Sequence, residues 1–330
     1  MKEALYYRKN TKEGDNSVSC LLCPHECSIK DGKVGICSVR KNESGVLIPL
    51  TYGRPSSIQL DPIEKKPLYH FLPGSKILSI GTSGCNFSCG FCQNWSLVKS
   101  DIPHSFLPPE DLPTLAQKHS SIGIAYTYNE PLIWYEYILD AGKAVKEAGL
   151  RNVLVTNGFI NPEPLDQILP LIDAINIDLK SIDPSFYKKI CKGELEPVKE
   201  TIRRSHDSCL IEVTNLIIPN ENDSEDQIKR LVEFIAGIDQ NIPLHFSRYF
   251  PHRGFSSPPT SPDKLLRAYE IAKTMIHYVY LGNMAADVGQ NSLCPHCNAL
   301  VIERQGYFVK IKKLEGATCG NCGSKLNFIV

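Results

Sequence analysis

Cys85-Asn86-Phe87-Ser88-Cys89-Gly90-Phe91-Cys92 places three cysteines within eight residues, spaced C-x3-C-x2-C. Just before it runs Lys76-Ile77-Leu78-Ser79-Ile80-Gly81, a short apolar stretch that reads as a strand. The cysteines therefore sit on a loop leaving the carboxyl end of that strand. Thiolates are soft ligands that suit iron–sulfur clusters and zinc. Three are one short of the four that a closed tetrahedral zinc site or a fully ligated cubane uses. The spacing thus predicts a metal site with an open position. A zinc knuckle with a distant fourth ligand, or plain loop cysteines, fits less well, because knuckles come as C-x2-C pairs.

Working outward, the chain of 330 residues suits one large core with an appendage, or two domains. Hydrophobic residues make up 42% and charged residues 22%, the balance of a soluble globular protein. A formal net charge of +0 offers no basic face, so nucleic acid is not an expected partner. The opening Met1-Lys2-Glu3-Ala4-Leu5 carries charge and no long apolar core, so no secretory signal is expected. No run reaches the length of a membrane span, so no membrane association is expected. Without a secretory signal, the 13 cysteines point to metal rather than to disulfides, and to a reducing, cytoplasmic setting. They cluster in 20–37, 85–92 and 294–322; Cys191 and Cys209 stand alone and read as small buried apolar residues.

The amino-terminal stretch carries Cys20-x2-Cys23-x3-Cys27-x9-Cys37 and too few apolar residues for a core of its own. A structural metal is the usual remedy at this size. Zinc held by four thiolates is the first expectation and a second iron–sulfur cluster the alternative. His25 could replace a cysteine but reads as a loop residue. Residues 46–60 alternate apolar and polar positions around Gly53-Arg54-Pro55, which predicts a hairpin or two edge strands. The Pro-rich Asp61 to His70 segment reads as an ordered loop, facing the site or packing beneath the sheet.

From 76 to 283, apolar runs ending near Gly81, Thr127, Thr156, Leu179, Ile218, Ser247 and Leu281 alternate with amphipathic helices. Pro131 suits a first helical position, Ser224-x-x-Gln227 is a capping box, and Ser261-Pro262 and Asp183-Pro184 open two more helices. Such alternation predicts a parallel sheet with right-handed crossovers. No G-x-G-x-x-G follows the first strand, which removes the best marker of a dinucleotide fold. Instead, nearly every strand ends in polar residues: the cysteines, Asn129-Glu130, Thr156-Asn157, Asp178 and Lys180, Thr214-Asn215, His245 and Arg248, Gly282-Asn283. Chemistry gathered at the carboxyl ends of successive strands is what an α/β barrel provides, here a partial one of six or seven units. Each residue also has a plain structural reading. Asn129 and Glu130 complement the positive end of a helix. Asp178 and Lys180 alternate on one strand face and could form an internal ion pair. Asn157 fits a turn, and His245 taken alone is a satisfied core histidine.

Residues 284–330 change character. Cys294-x2-Cys297-x21-Cys319-x2-Cys322 pairs two knuckles around a β-like Tyr307 to Ile311, a pattern that predicts a structural zinc ribbon or rubredoxin-like module. Asp287 to Leu293 is the expected linker. The expected divisions are 1–75 (a four-cysteine segment and β extension), 76–283 (partial barrel) and 284–330 (a four-cysteine module).

The stretch Gly84 to Trp95 resembles the radical S-adenosylmethionine (SAM) superfamily, in the branch that includes pyruvate formate-lyase activating enzymes. It is most similar to the radical SAM member of the AmmeMemoRadiSam system, and Cys20-Leu21-Leu22-Cys23-Pro24-His25-Glu26-Cys27 resembles the head of those proteins. The resemblance implies an α/β fold built on a partial (β/α)6-type barrel, and a [4Fe-4S] cluster on Cys85, Cys89 and Cys92 whose fourth iron is chelated by SAM. It places Phe91 on the adenine, and Asn129 and Glu130 at the SAM ammonium, where the activases carry Gly-Gly-Glu-Pro and this chain has Tyr128-Asn129-Glu130-Pro131. Asn157 becomes a pocket wall, Asp178 faces the ribose or amino group, Lys180 faces the carboxylate, and His245 touches ribose or adenine. The implied activity is reductive cleavage of SAM to a 5′-deoxyadenosyl radical that takes hydrogen from an unidentified substrate, small molecule or partner protein, with flavodoxin or ferredoxin as donor. The alternatives are a glycyl-radical-enzyme activase and, in another class, a non-catalytic multi-metal or electron-transfer scaffold.

Overall fold

The computed structural model describes residues 2–10, 16–252, 255–284 and 288–330. Its centre is an eight-stranded sheet: β1 (Ser57–Pro62), β2 (Lys76–Gly81), β3 (Gly123–Tyr126), β4 (Arg151–Thr156), β5 (Ala174–Asp178), β6 (Leu210–Ile217), β7 (Leu244–Arg248) and β8 (Val279–Gly282). Each strand pairs with the next in sequence. β1 runs antiparallel to β2, and every later pairing is parallel. The strand ends fall within a residue of those read from the apolar runs. The division expected at residue 75 falls inside the sheet, because β1 lies before it and is laddered to β2 along its whole length. The alternating residues 46–60 form two edge strands, the second alternative, rather than a hairpin. Val46–Pro49 pairs backwards with Arg40–Glu43, and β1 pairs forwards with β2.

Helices α1 (Leu112–Lys118), α2 (Tyr135–Glu147), α3 (Pro162–Ile168), α4 (Leu195–His206), α5 (Glu225–Ala236) and α6 (Pro262–Lys273) fill the connections. Their starts follow local chemistry. Ser224 and Gln227 close a reciprocal capping box on α5, and the Ser261 side chain accepts from the Lys264 amide ahead of Pro262. Before α2, Pro131–Trp134 forms a 3-10 turn rather than the first turn of an α-helix, with Glu130 as its cap. The outward strand residues, such as Leu78, Ile124, Leu154, Ile175, Val213 and Phe246, are buried with the apolar faces of these helices. Burying each such side chain stabilises the fold by about 1.5–3 kcal/mol.

The other sheet face is closed at the amino ends of the strands. Ile63, Leu68 and Phe71 from the Pro-rich segment pack on Ile77, Ala125, Val153 and Ala174. That segment therefore lies beneath the sheet as a floor. Polar residues tie it there: the Asn176 amide donates to the Pro67 carbonyl at 2.8 Å, and the His70 amide donates to Glu212 at 2.7 Å.

The carboxyl-terminal module docks on the same floor. Leu300–Gln305 pairs with Ser292–Leu293 and Phe308–Ile311. Its core joins Val301, Ile302, Leu326 and Phe328 to Tyr69 of the floor and Tyr278 and Tyr280 of the β8 region. Asp287, the first residue of the expected linker, lies outside the described residues; after it, Gly289 and Gln290 are hydrogen-bonded to Leu281. Among the described residues no helix is long and apolar enough to cross a membrane.

Candidate active site

Gly81 ends β2, and the chain turns through Gly84 at φ +90° into the three cysteines. Only glycine fits there: a Cβ on Gly84 would lie 2.7 Å from the Cys37 carbonyl and 2.6 Å from Val39. The cysteine loop is thus pressed against the amino-terminal segment. It borders a cleft of about 260 Å³ at the carboxyl ends of the strands. Cys85, Cys89 and Cys92 line this cleft with Phe91, Asn129, Glu130, Asn157, Asp178 and Lys180, so nine of the ten residues marked in the sequence for this site meet in one place.

His245 is the exception and corrects the expectation. It is the second residue of β7, buried, with its Nε2 2.6 Å from Glu212 and its ring against Tyr69 and Tyr280. The cleft is lined instead by Ser247, two residues further along β7. Two residues of strand are about 7 Å of depth, with the side chains on the same face. His245 is thus the satisfied core histidine that its residue type alone suggests.

The Glu130 carboxylate accepts from the Leu132 amide at 2.9 Å, the Thr156 hydroxyl at 2.6 Å and the Asn157 amide at 2.7 Å. Burial pushes its pKa up to about 7, against the pull of those three donors. It therefore caps the turn at Pro131 and also joins the ends of β3 and β4. Asn129 works likewise on the cysteine loop, accepting from the Thr82 amide and donating to the Gly84 carbonyl, each at 3.1 Å. Asn157 donates to the Asn86 side chain at 2.9 Å, with Cys85 Sγ 3.9 Å from the same nitrogen.

Asp178 and Lys180 form an ion pair of 2.9 Å at the end of β5. Burial works against the lysine charge, but the Asp178 carboxylate overrides it and raises the pKa of Lys180 well above the usual range. Lys180 is the one cationic side chain among the described residues that line the cleft. Phe91 is buried between Phe186 and Phe255, with the Lys180 ammonium 5.9 Å from its ring.

Several lining residues escaped the sequence reading as contacts: Gln93, Asn94, Leu216 and Ser247. Leu216 and Ser247 were accessible in principle, because they share a strand face with Thr214 and His245 at the two-residue period. Cys191, read as a buried apolar residue, is buried, and its side chain helps raise the pKa of Cys89. It does not line the cleft.

Spacing of the sulfurs separates the three cysteine sets. Among the described residues, Cys294, Cys297, Cys319 and Cys322 bring all four sulfurs within 4.8 Å of one another, and could hold a metal ion. Cys85, Cys89 and Cys92 form no such tight group. Ligands of a single ion must converge, whereas thiolates of a cubane each bind a separate iron and stand wider apart. The three cleft cysteines thus fit a cluster better than a single ion.

Comparison with known proteins agrees with this geometry. Residues 79–235 match the model of the radical SAM superfamily. An uncharacterised protein of Methanocaldococcus jannaschii is 41% identical, with 100% of both chains covered. A GTP 3′,8-cyclase of Haemophilus influenzae is 26% identical over 75% of this chain and 78% of its own. An M. jannaschii protein named as a glycyl-radical enzyme activating enzyme is 24% identical over 64% of this chain and 80% of its own.

Proposed function

The chain belongs to the radical SAM superfamily, and from that premise we propose that it cleaves SAM reductively and takes hydrogen from a substrate handled by the AmmeMemoRadiSam system. The observation that carries this reading is the set of three thiolates, not converged on a single ion, at the border of a cleft whose one lining cation among the described residues is Lys180. A [4Fe-4S] cluster on Cys85, Cys89 and Cys92 would supply one electron to the sulfonium of SAM, releasing methionine and a 5′-deoxyadenosyl radical.

The residues of the chain do the rest. Lys180 offers an ammonium to the methionine carboxylate, and Asp178 keeps that ammonium charged and oriented. Phe91, fixed by two aromatic neighbours, offers a flat apolar surface to the adenine. Asn157 spends its amide on Asn86 and Cys85 and so fixes the cysteine loop. Glu130, with both oxygens already accepting, keeps the ends of β3 and β4 in register and contributes its charge to the ammonium end of the cleft. The sheet supports a partial barrel, and the converging sulfurs of the carboxyl-terminal module support a structural zinc.

The test is direct. Anaerobically reconstituted protein, reduced with dithionite in the presence of SAM, is expected to release 5′-deoxyadenosine and methionine. A Cys89→Ala variant is expected to release neither. If the wild-type protein yields no 5′-deoxyadenosine, the non-catalytic metal scaffold becomes the better reading. A second reading, activation of a glycyl radical enzyme, is favoured by the likeness to the named activating enzyme. Electron paramagnetic resonance for a glycyl radical, after incubation with a glycyl radical enzyme, separates the two.

A further inference from the structure

The amino-terminal cysteines stand around a gap rather than a point. Cys20, Cys23, Cys27 and Cys37 all line one narrow, almost wholly apolar cavity, closed by Leu22, Ile29, Ile36 and Ile133. Yet no three of their sulfurs fall within 4.8 Å of one another. The carboxyl-terminal set is a control within the same molecule. There Cys294–Cys322 and Cys297–Cys319 are each 3.7 Å apart. A zinc–sulfur bond of about 2.3 Å sets a tetrahedral edge of about 3.8 Å. The chain therefore converges four thiolates on a single-ion geometry where it builds one, and does not do so at 20–37. In that respect the amino-terminal four resemble Cys85, Cys89 and Cys92.

Arg40 supplies a second, independent observation. It lines the same cavity, is 1% exposed, and its Nε has no hydrogen-bond partner. Its other nitrogens are committed to Glu136 and the Leu5 carbonyl. A buried guanidinium N–H left without a partner is costly, at about 1–3 kcal/mol. A sulfide-rich, anionic group in the cavity would accept from it. An available buried donor and a dry apolar wall are features that tune an iron–sulfur cluster.

We infer that Cys20, Cys23, Cys27 and Cys37 hold a second, fully ligated [4Fe-4S] cluster rather than zinc. Its place bears on the catalytic site. Asn86 lines the cavity, accepts the Asn157 amide at 2.9 Å, and directly follows Cys85 in the catalytic loop. His25 meets the Asn86 carbonyl at 2.7 Å. Asn86 of the cavity wall is thus hydrogen-bonded to Asn157 of the cleft wall, which sets the two sites side by side.

The test counts metals on the full chain, anaerobically reconstituted with iron and sulfide. About eight irons, matching acid-labile sulfide and one zinc per chain are expected. A variant with Cys85, Cys89 and Cys92 all replaced by Ala is expected to keep about four irons with the Mössbauer signature of a [4Fe-4S] cluster. About four irons and two zincs in the wild-type protein would overturn the inference. So would a triple-alanine variant, folded by circular dichroism, that binds no iron. Because the triple variant lacks the cleft cysteines, its iron reports on 20–37 whether or not the cleft reading holds.

Discussion

Cys191 is the residue on which the open iron site turns. Its side chain is the largest cause of the raised pKa of Cys89, so a fourth sulfur lies near the loop. It reaches that position from the π-helical turn Tyr187–Cys191, and the Ser88 amide donates to its carbonyl at 2.9 Å. It is wholly buried and absent from the cleft lining, which argues for packing behind Cys89 rather than for ligation. Cys191→Ala is therefore expected to leave the iron content of the protein unchanged; loss of about four irons would make Cys191 a ligand and close the position assigned to SAM. Lys180 makes the complementary case. Replacing it by Met removes one charge-assisted contact, of about 1.5–3 kcal/mol, from the carboxylate of SAM. Anaerobic calorimetry on cluster-loaded protein should show SAM binding weakened about tenfold or more, while Tm moves little because Asp178 is partly hydrated. Unchanged affinity would remove Lys180 from the ligand.

At the scale of elements, the alternation of strand and helix was legible because each strand is a short apolar run between turn residues. Depth along a strand was not. Asn176 and Asp178, Glu212 and Thr214, His245 and Ser247 alternate on the inner face, and only their register against neighbouring strands says which one reaches the cleft. The deeper members belong to the floor. There Arg304 donates to Ser292 at 2.8 Å, Ser292 lies 2.6 Å from the Tyr280 hydroxyl, and Tyr280 lies 2.8 Å from His70 Nε2. His70 Nδ1 donates to the Asn327 carbonyl, and its ring stacks 3.8 Å from Phe328. Such a chain suits a neutral imidazole, and burial pushes the pKa of His70 down to about 4. The unfolded chain, near 6.5, takes up the proton first as pH falls. The His70 contribution is therefore intact above about pH 6.5 and is lost progressively as pH drops towards 4. Urea unfolding should show that His70→Gln loses about 2 kcal/mol less than wild type between pH 7 and pH 5. An identical pH dependence in the two proteins would contradict a neutral His70.

For the whole molecule, the cysteine spacings announced three metal sites but not where they lie relative to one another. That arrangement depends on long-range packing, such as Gly84 against Cys37 and Tyr69 within the carboxyl-terminal core. The cleft and the amino-terminal cysteines adjoin at the carboxyl ends of the strands, while the carboxyl-terminal module closes the amino ends. Its coupling to the sheet runs through Arg304, which stacks 4.4 Å from the Tyr69 ring and donates to the Tyr69 carbonyl at 2.6 Å. Mutual backbone bonds between Leu72, Ile329 and His70 add to it. Removing the ligands with which this module could hold a metal ion should therefore loosen the floor first. In a Cys319→Ser, Cys322→Ser variant, hydrogen exchange is expected to quicken at least about tenfold over 69–72 and 278–281, a local loss of about 1.4 kcal/mol or more. Protection over 85–92 should stay as in the wild-type protein. Equal loss at both ends would mean that floor and cleft open as one cooperative unit, and that the module steadies the active site directly rather than sealing the sheet beneath it.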